Sequence, residues 1–298
     1  MLDKVEFYMH SIVGSVKSSY VDELFNKLPS GKRLRAKLVL KIAPHNEISY
    51  KLAAIIELIH AASLLHDDVI DDADLRRGVA SINALYGDKS AIMLGDILYS
   101  KAYFELVGYE KKVAQIISNA VALLSLGELN DVRLSKTFNP DIDEYFDMIY
   151  QKTASLIEAS AASAAVLGGL DENAFSIYGK NLGLAFQIID DVLDITQESL
   201  KLGKPALNDF KEGKTTLPYI YLYRFLDQEG REKLKSLYKK ELNQEEVNWI
   251  KENMQKSRAI DESVKKAKEY GYEALEAIRD HKNEGLEKII KDMIEREF

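Results

Sequence analysis

Two short acidic strings are where the residue types of this chain concentrate the means for chemistry. Asp67-Asp68-Val69-Ile70-Asp71 and Asp190-Asp191-Val192-Leu193-Asp194 share the pattern DDxxD and begin 123 residues apart. Each comes after an apolar stretch, Ala61 to Leu65 in one case and Leu182 to Ile189 in the other. On a helix, positions i and i+4 share a face roughly 6 Å apart. Each string therefore sets two carboxylates side by side with a third next to them. Such carboxylates repel, and a bound cation offsets the repulsion. Hard oxygen donors without a Cys or His cage favour magnesium, which keeps waters and commonly shares its shell with phosphate oxygens. A single copy reads as a solvated helix end. Two copies, each attached to an apolar helix, point to two metal cradles.

Basic residues indicate what the metals would hold. Gly31-Lys32-Arg33-Leu34-Arg35 sits where a new helix should begin, and Arg76-Arg77 comes five positions after the first acidic string. Lys152 precedes Thr153, Lys204 precedes Pro205, and Lys214 lies in Gly213-Lys214-Thr215-Thr216. Lys and Arg grip phosphate through charge-assisted hydrogen bonds. Any one of them alone reads as a surface cation. Two acidic cradles with two basic clusters imply two polyanions, only one of which needs metal.

The histidines add one candidate. His60 lies two turns before Asp67 on about the same helix face, while His66 is adjacent to Asp67, points elsewhere and reads as structural. Glu57-Leu58-Ile59-His60 is an ExxH string of the kind found in di-iron carboxylate bundles, which require a second copy. His10, His45, His66 and His281 are preceded at i−3 by Phe7, Ile42, Ser63 and Ile278. The iron reading therefore fails.

Helices must position these residues. No proline falls in the 95 residues between Pro44 and Pro140 or in the 80 after Pro218. Proline breaks helix interiors, so these stretches suit long helices. Leu52, Ile55, Ile56, Ile59, Ala62 and Ser63 recur at helical spacing, as do Val113, Ile116, Ile117, Ala120 and Leu124. No long alternation of β-branched residues appears, so an all-α chain is expected. Pro29-Ser30-Gly31 should separate an N-terminal helix from the next. Arg77-Gly78 and Tyr86-Gly87-Asp88 should flank a loop. Phe138-Asn139-Pro140-Asp141 should turn, with Asp141 or Asp143 capping the next helix. Gly168-Gly169 should end the Ala/Ser-rich segment 154–167, which reads as close packing. Residues 201–218 should form a long loop. None of these breaks has linker character, so one domain over 1–298 is expected, with charged helices from about residue 225 packing on it.

Composition bounds the function classes. The 298 residues are 46% hydrophobic and 30% charged, the balance of a soluble protein with a core. No run of eighteen apolar residues is present, so no membrane span is expected, and the first ten residues lack the apolar region of a signal peptide. The absence of cysteine removes disulfides, thiolate sites and Cys nucleophiles and fits a reducing cytoplasm. A net charge of −8 argues against nonspecific nucleic-acid binding.

Taken together, GKRLR (31–35), IHAASLLHDDVIDDADLRRG (59–78), GD (95–96), KT (152–153), FQIIDDVLD (186–194), GKP (203–205) and GKTTLP (213–218) carry a family resemblance. The chain resembles the trans-type polyprenyl diphosphate synthases, head-to-tail isoprenoid elongation enzymes, and most of all their bacterial medium- and long-chain members. The strings span about 190 residues in the family's order. Two departures are mild. Ser30 stands where a second Gly is usual, and Ala36 where Pro usually succeeds the second Arg.

The resemblance implies a single-domain antiparallel helical bundle around a deep central cavity, with the acidic motifs facing each other across its mouth. It implies that Asp67, Asp71 and Asp190 bind magnesium, three ions per site, with Asp68, Asp191 and Asp194 in support. Arg76, Lys152, Thr153, Gln187, Lys204 and Lys214 would hold the allylic diphosphate. Lys32, Arg35, His60 and Arg77 would hold isopentenyl diphosphate without metal, and Glu128 and Asp131 match a polar patch on a facing helix. The allylic C–O bond breaks, the isopentenyl double bond attacks the cation, and the released diphosphate takes the proton. No side-chain base is needed, in agreement with the absence of a nucleophile–His–acid triad. The resemblance also implies a cytoplasmic homodimer, at most a transient membrane contact for product release, and a product destined for quinone side chains.

Ala62 and Ser63 lie one turn below Asp67, along the expected path of the growing tail. Short-chain members often place an aromatic there. These small residues and the two-residue spacer of the first motif favour a long product, about six to ten isoprene units, octaprenyl-like, over a farnesyl or geranylgeranyl product. Leu123, Leu124, Leu126 or Phe104 would form the floor. A terpene cyclase would need no second diphosphate site and usually carries Asn, Ser or Thr, and Glu in its second motif. An inactive regulatory subunit should lose metal ligands, and this chain retains both motifs.

Overall fold

The structure is a computed structural model, described over residues 1–196 and 207–294. Its long helices obey the apolar period. Of the residues that the spacing selects, helix α4 (Glu47–Ile70) buries Leu52, Ile55, Ile56, Ile59 and Ala62 completely and Ser63 by half, and it also buries Ala53, Ala54 and Leu58. Each large aliphatic side chain so buried stabilises the fold by about 1.5–3 kcal/mol. Asn46 starts this helix by accepting from the Ser49 backbone N–H at 2.9 Å. Among the described residues the fold is all-α apart from one minimal hairpin, β1 (Leu75–Arg76) with β2 (Val79–Ala80).

The described residues divide into two compact units, each assembled from two stretches of chain. The first comprises Met1–Ala122 and Leu156–Ser176. It holds α1 (Leu2–Gly14), α2 (Ser19–Asn26), α3 (Leu34–Ile42), α4, the hairpin, α5 (Ile82–Tyr86), α6 (Asp88–Leu106), the start of α7 (Lys111–Leu134) and nearly all of α9 (Ser155–Gly168). Within it, α4 packs against α1, α3 and α6. Two details differ from expectation. The N-terminal helix is broken in two by Lys17, which adopts a left-handed φ of 57°, and Ser18 then caps α2. The expected loop after Arg77 is largely structured, because Arg77 (φ 54°) and Gly78 (φ 78°) form a two-residue primed hairpin turn. Gly169, at φ 62°, ends α9 as expected. The alanines of α9 are buried, Ala161, Ala164 and Ala165 completely.

The second unit comprises Leu123–Ser155 and Ile177–Phe298. It holds the remainder of α7, α8 (Ile142–Ile149), a π-turn (Tyr150–Ala154), most of α10 (Glu172–Thr196) and six further helices. These are α11 (Asn208–Glu212), α12 (Leu217–Phe225), α13 (Gln228–Leu237), α14 (Gln244–Ser257), α15 (Ala259–Ala277) and α16 (Glu284–Ile294). Asp141 caps α8 by accepting from the N–H groups of Asp143 and Glu144. Asn243 and Glu246 form a capping box on α14. The charged C-terminal helices have a core of their own. Tyr219, Leu222, Leu234, Ile250 and Met254 are fully buried there, with Phe210 stacked on Tyr219 at 4.5 Å between ring centroids. The described end of the expected 201–218 loop contains α11, entered by Leu207 and left by Gly213, both with left-handed φ.

Two helices reach the length and hydropathy of membrane spans. The apolar window of α4 is 67% buried within the protein, the pattern of a core helix, and that of α7 is 33% buried.

Candidate active site

The first acidic motif occupies the C-terminal turn of α4. Asp71 is the C-cap just past its end, and its N–H reaches the Asp67 carbonyl at 2.8 Å, so the carboxylates stand one turn apart. Asp68 is buried and accepts from Arg76 Nε at 2.6 Å. Burial raises the Asp68 carboxyl above its usual range, and the Arg76 charge opposes that rise. Side chains beyond the motif fix the chain behind it. Asn83 Nδ2 donates to the carbonyls of Asp68 and Ala73 at 3.2 and 3.1 Å, and Ser81 Oγ donates to Ala73 at 2.6 Å. Arg76 ends β1 and Arg77 occupies the hairpin tip, so the turn geometry presents two adjacent guanidinium groups beside the motif.

A cation cluster forms in the same unit. Arg77 packs against Gly31, where a Cβ would lie 2.7 Å from its Nη1, and it donates to the Pro29 carbonyl at 3.4 Å. Arg33 adopts a left-handed φ of 52° at the head of α3. It grips Glu6 through Nε at 2.6 Å and Nη2 at 3.1 Å, and it reaches Glu57 at 3.4 Å. Burial lowers the Arg35 guanidinium to about 10, which leaves it charged at neutral pH, and its Nε has no protein partner. His60 is held well below its usual range by burial and by the charges of Arg35, Arg77, Arg76 and Arg33. It is therefore a neutral imidazole, able to donate one N–H to an anion. Lys32 is exposed at the edge. The structure thus brings Arg35, His60 and Arg77 together, with Arg33 added.

The second motif lies near the end of α10, in the other unit. Asp191 is buried and held by two donors, Tyr145 Oη at 2.6 Å and Gln187 Nε2 at 2.8 Å. Thr153 Oγ1 donates to Gln187 Oε1 at 2.7 Å, which orients that amide. Lys152 Nζ sits between Asp131 (2.5 Å) and Glu128 (2.8 Å), both buried. Asp194 accepts from the Asp209 N–H at 3.1 Å, and the Lys214 N–H donates to the Asp209 carbonyl at 2.7 Å. Burial raises Asp191 to about 7, and it also raises Asp194 and, more strongly, Asp209. Asp131, Lys152, Thr153, Gln187, Asp191 and Lys214 line one hollow that opens to solvent.

Lys152 and Thr153 reach this hollow because α8 runs into a π-turn over Tyr150–Ala154, a feature that concentrates at functional sites. Glycines on either side make room. A Cβ on Gly127 would overlap the Lys152 backbone nitrogen, and one on Gly183 would overlap the Ala154 Cα.

In each motif, the middle-position carboxylate is occupied by protein donors: Asp68 by Arg76, Asp191 by Tyr145 and Gln187. Asp67 and Asp190 are half-buried and Asp71 is exposed, so these hard oxygen donors lie within reach of solvent. That donor set fits a divalent cation such as magnesium. Among the described residues, no three carboxylate or histidine groups already converge as a metal cage. Lys204 lies outside the described residues.

Of the chain-length candidates, Ala62 is packed on all sides, whereas Ser63 is half-buried and donates its Oγ to the His60 carbonyl at 3.0 Å. In the other unit Leu123 is half-buried, Leu124 is buried and Leu126 is exposed. Phe104 is exposed on α6. His66 lies against Gly95 and within 3.4 Å of Asp96, the expected structural position.

The family model for polyprenyl synthetase matches residues 18–254. The chain belongs to the polyprenyl synthetase family. It is therefore a prenyltransferase. The crystal structure of octaprenyl pyrophosphate synthase from Helicobacter pylori matches it with a TM-score of 0.95 and 45% identity, over 99% of this chain and 98% of that one. A polyprenyl synthase from Caulobacter crescentus CB15, complexed with calcium and isoprenyl diphosphate, matches with a TM-score of 0.90 and 30% identity, covering 99% and 94%. Octaprenyl diphosphate synthase from Haemophilus influenzae is 33% identical over 258 residues, 83% of this chain and 78% of that protein. The calcium in the Caulobacter protein agrees with divalent-metal chemistry for a polyprenyl synthetase.

The charged groups of this polyprenyl synthetase are visible in its sequence, and their supports are not. Nothing in the motifs points to Tyr145, Asp209, Gly127, Gly183 or Asn83. Glu57 stands out only as part of an ExxH string.

Proposed function

We infer that this polyprenyl synthetase joins isopentenyl diphosphate head-to-tail (1′-4) to an allylic diphosphate primer, giving an all-trans product of medium to long chain. The observation that carries this reading is the presence of two differently built anion sites. One is an arginine-rich cluster around a neutral His60; the other joins Lys152, Thr153 and Gln187 to an aspartate motif.

In this reading Lys32, Arg35, His60 and Arg77 bind isopentenyl diphosphate. Arg76, Lys152, Thr153, Gln187, Lys204 and Lys214 bind the primer diphosphate. Asp67, Asp71 and Asp190 are the metal ligands, with three magnesium ions per site. Bound magnesium would supply Lewis-acid neutralisation of the charge that develops on the departing diphosphate. Lys152 and Arg76 would each add fixed positive charge to the primer diphosphate. The primer C1–O bond breaks, the terminal alkene carbon of isopentenyl diphosphate bonds to that C1, and the proton lost from its C2 goes to the released diphosphate. Glu128 and Asp131 hold the Lys152 ammonium in place between turnovers. The names of the octaprenyl relatives and the small Ser63 below Asp67 support the longer product. We also propose that the two units act as one domain, in a cytoplasmic homodimer.

The test is incubation of the purified chain with radiolabelled isopentenyl diphosphate, farnesyl diphosphate and Mg²⁺, with product length read by chromatography. Elongated product that disappears with chelator is expected. Its absence from the wild type would overturn the reading.

A further inference from the structure

Glu57 is a carboxylate with only 3% of its surface exposed, within electrostatic reach of Arg33, Arg35 and Arg77. Two features of this chain meet at it. Its Oε1 accepts from the Ala36 backbone N–H at 2.9 Å, and its Oε2 accepts from Arg33 Nη1 at 3.4 Å. Proline at position 36, the residue expected from the family resemblance, would have no N–H to give. Position 57 is also one helical turn from His60 in Glu57-Leu58-Ile59-His60, so on α4 the carboxylate and the imidazole share a face. The ExxH string thus serves the cation cluster.

Geometry gives Glu57 a task. Arg33 is held at φ 52°, a conformation that costs an ordinary residue about 1–2 kcal/mol. Glu6 and Glu57 clamp its guanidinium from two helices, α1 and α4. The same Glu57 fixes the backbone three residues on. Arg35 lies between these two anchors, and its course from the head of α3 toward His60 depends on both. One buried carboxylate also offsets part of the repulsion among Arg33, Arg35, Arg76 and Arg77.

We propose that Glu57 is a positioning residue for the metal-free diphosphate site: it anchors Arg33 and the Ala36 backbone so that Arg35 faces the substrate phosphates beside His60. This rests on the reading of Lys32, Arg35, His60 and Arg77 as the isopentenyl diphosphate site. Glu57 does not touch the substrate and acts through Arg33 and Arg35.

The experiment compares steady-state constants of the full chain and three variants, with melting temperature recorded for each. Glu57→Gln keeps an oxygen for the Ala36 N–H but loses the charge that holds Arg33. It raises KM for isopentenyl diphosphate about tenfold and leaves kcat and the KM for the allylic primer within twofold. Ala36→Pro removes one hydrogen bond and no charge, and it shifts the same constant in the same direction by less. Arg77→Gln tests the underlying site and raises KM for isopentenyl diphosphate whatever Glu57 does. If Arg77→Gln leaves that constant unchanged, the site reading fails. If Arg77→Gln raises it while Glu57→Gln leaves it unchanged or lowers it, the positioning role alone is overturned. A uniform loss of active protein, with a lower melting temperature and both KM values moved together, reduces Glu57 to a structural residue and also overturns the proposal.

Discussion

Tyr145 donates a 2.6 Å hydrogen bond to Asp191, which lies 46 residues further along the chain. Both groups are buried, and Gln187 supplies the second donor. The middle aspartate of the motif is thus committed to protein, and its fixed position sets the direction in which Asp190 and Asp194 project from α10. Tyr145→Phe removes one charge-assisted bond and leaves a buried carboxylate underpaired. A loss of about 1.5–3 kcal/mol in stability is expected, read from urea unfolding. The KM for the allylic primer should rise with it, because Gln187 and Thr153 share the network. An unchanged unfolding midpoint would show that the bond contributes nothing net.

Gly127 and Gly183 bracket the π-turn that carries Lys152 and Thr153. In Gly127→Ala, the added methyl meets backbone on the neighbouring segment, which cannot rotate away. The turn must shift, and Lys152 with it. Overpacking of this kind costs about 1–3 kcal/mol. If Lys152 binds the primer diphosphate as proposed, displacing it should lower kcat/KM for the primer by about a hundredfold. The KM for isopentenyl diphosphate should change little. Equal loss for both substrates would place the damage in folding.

How much of the site is legible in the sequence depends on the kind of residue. Asp67, Arg77, Lys152 and Asp190 stand out because repeated carboxylates and clustered cations are visible in short strings of sequence. Helix α4 stands out because it is long, free of proline and apolar, although its run 52–59 is buried on every side rather than on one face. Tyr145 and Asp209 do not, since nothing local marks which distant residue will satisfy a buried carboxylate. The π-turn leaves no compositional trace at 150–154; its signal is two glycines, at 127 and 183, in other helices. Glu57 carries a signal that suggests metal binding, because i, i+3 spacing fixes a shared face without fixing the partner. The hairpin at 75–80 is hidden because Arg77 occupies a left-handed position that Asn or Gly usually fills.

Loss of the carboxylates proposed as metal ligands should have a different signature from loss of their supports. Asp67→Ala and Asp190→Ala should each lower kcat by several orders of magnitude, about the scale of removing electrostatic stabilisation from a leaving group. Wild-type turnover at saturating Mg²⁺ in either variant would remove that residue from the ligand set.

His60 gives a pH dependence with a definite sign. Its folded pKa lies well below 6.5 because of burial and four arginines, so the unfolded chain binds the proton more readily. For such a group, stability is full above the unfolded value near 6.5. It falls as pH drops below that value, by up to about 1.4 kcal/mol per pH unit. His60→Gln removes this one contribution. Urea unfolding of the wild type and of the variant at pH 7.5, 6.5 and 5.5 should show a shallower acid loss in the variant. Parallel curves would mean that His60 takes up its proton as readily in the folded protein as in the unfolded chain.

Ala62 and Ser63 are adjacent and both small, yet their surroundings differ. Ala62 has no exposed surface, so a phenylalanine there must displace packed neighbours. Ala62→Phe is expected to cost about 1–3 kcal/mol of stability, visible as a lower melting temperature. Ser63 is half-buried and lies one turn, about 5.4 Å, below Asp67. A ring placed there by Ser63→Phe displaces fewer packed neighbours than one at Ala62. It should shorten the product by several isoprene units while leaving the melting temperature nearly unchanged. Chromatography of labelled products from the two variants separates the cases. If Ser63→Phe still makes full-length product, the tail does not pass this level of α4, and the size of residues 62 and 63 says nothing about chain length.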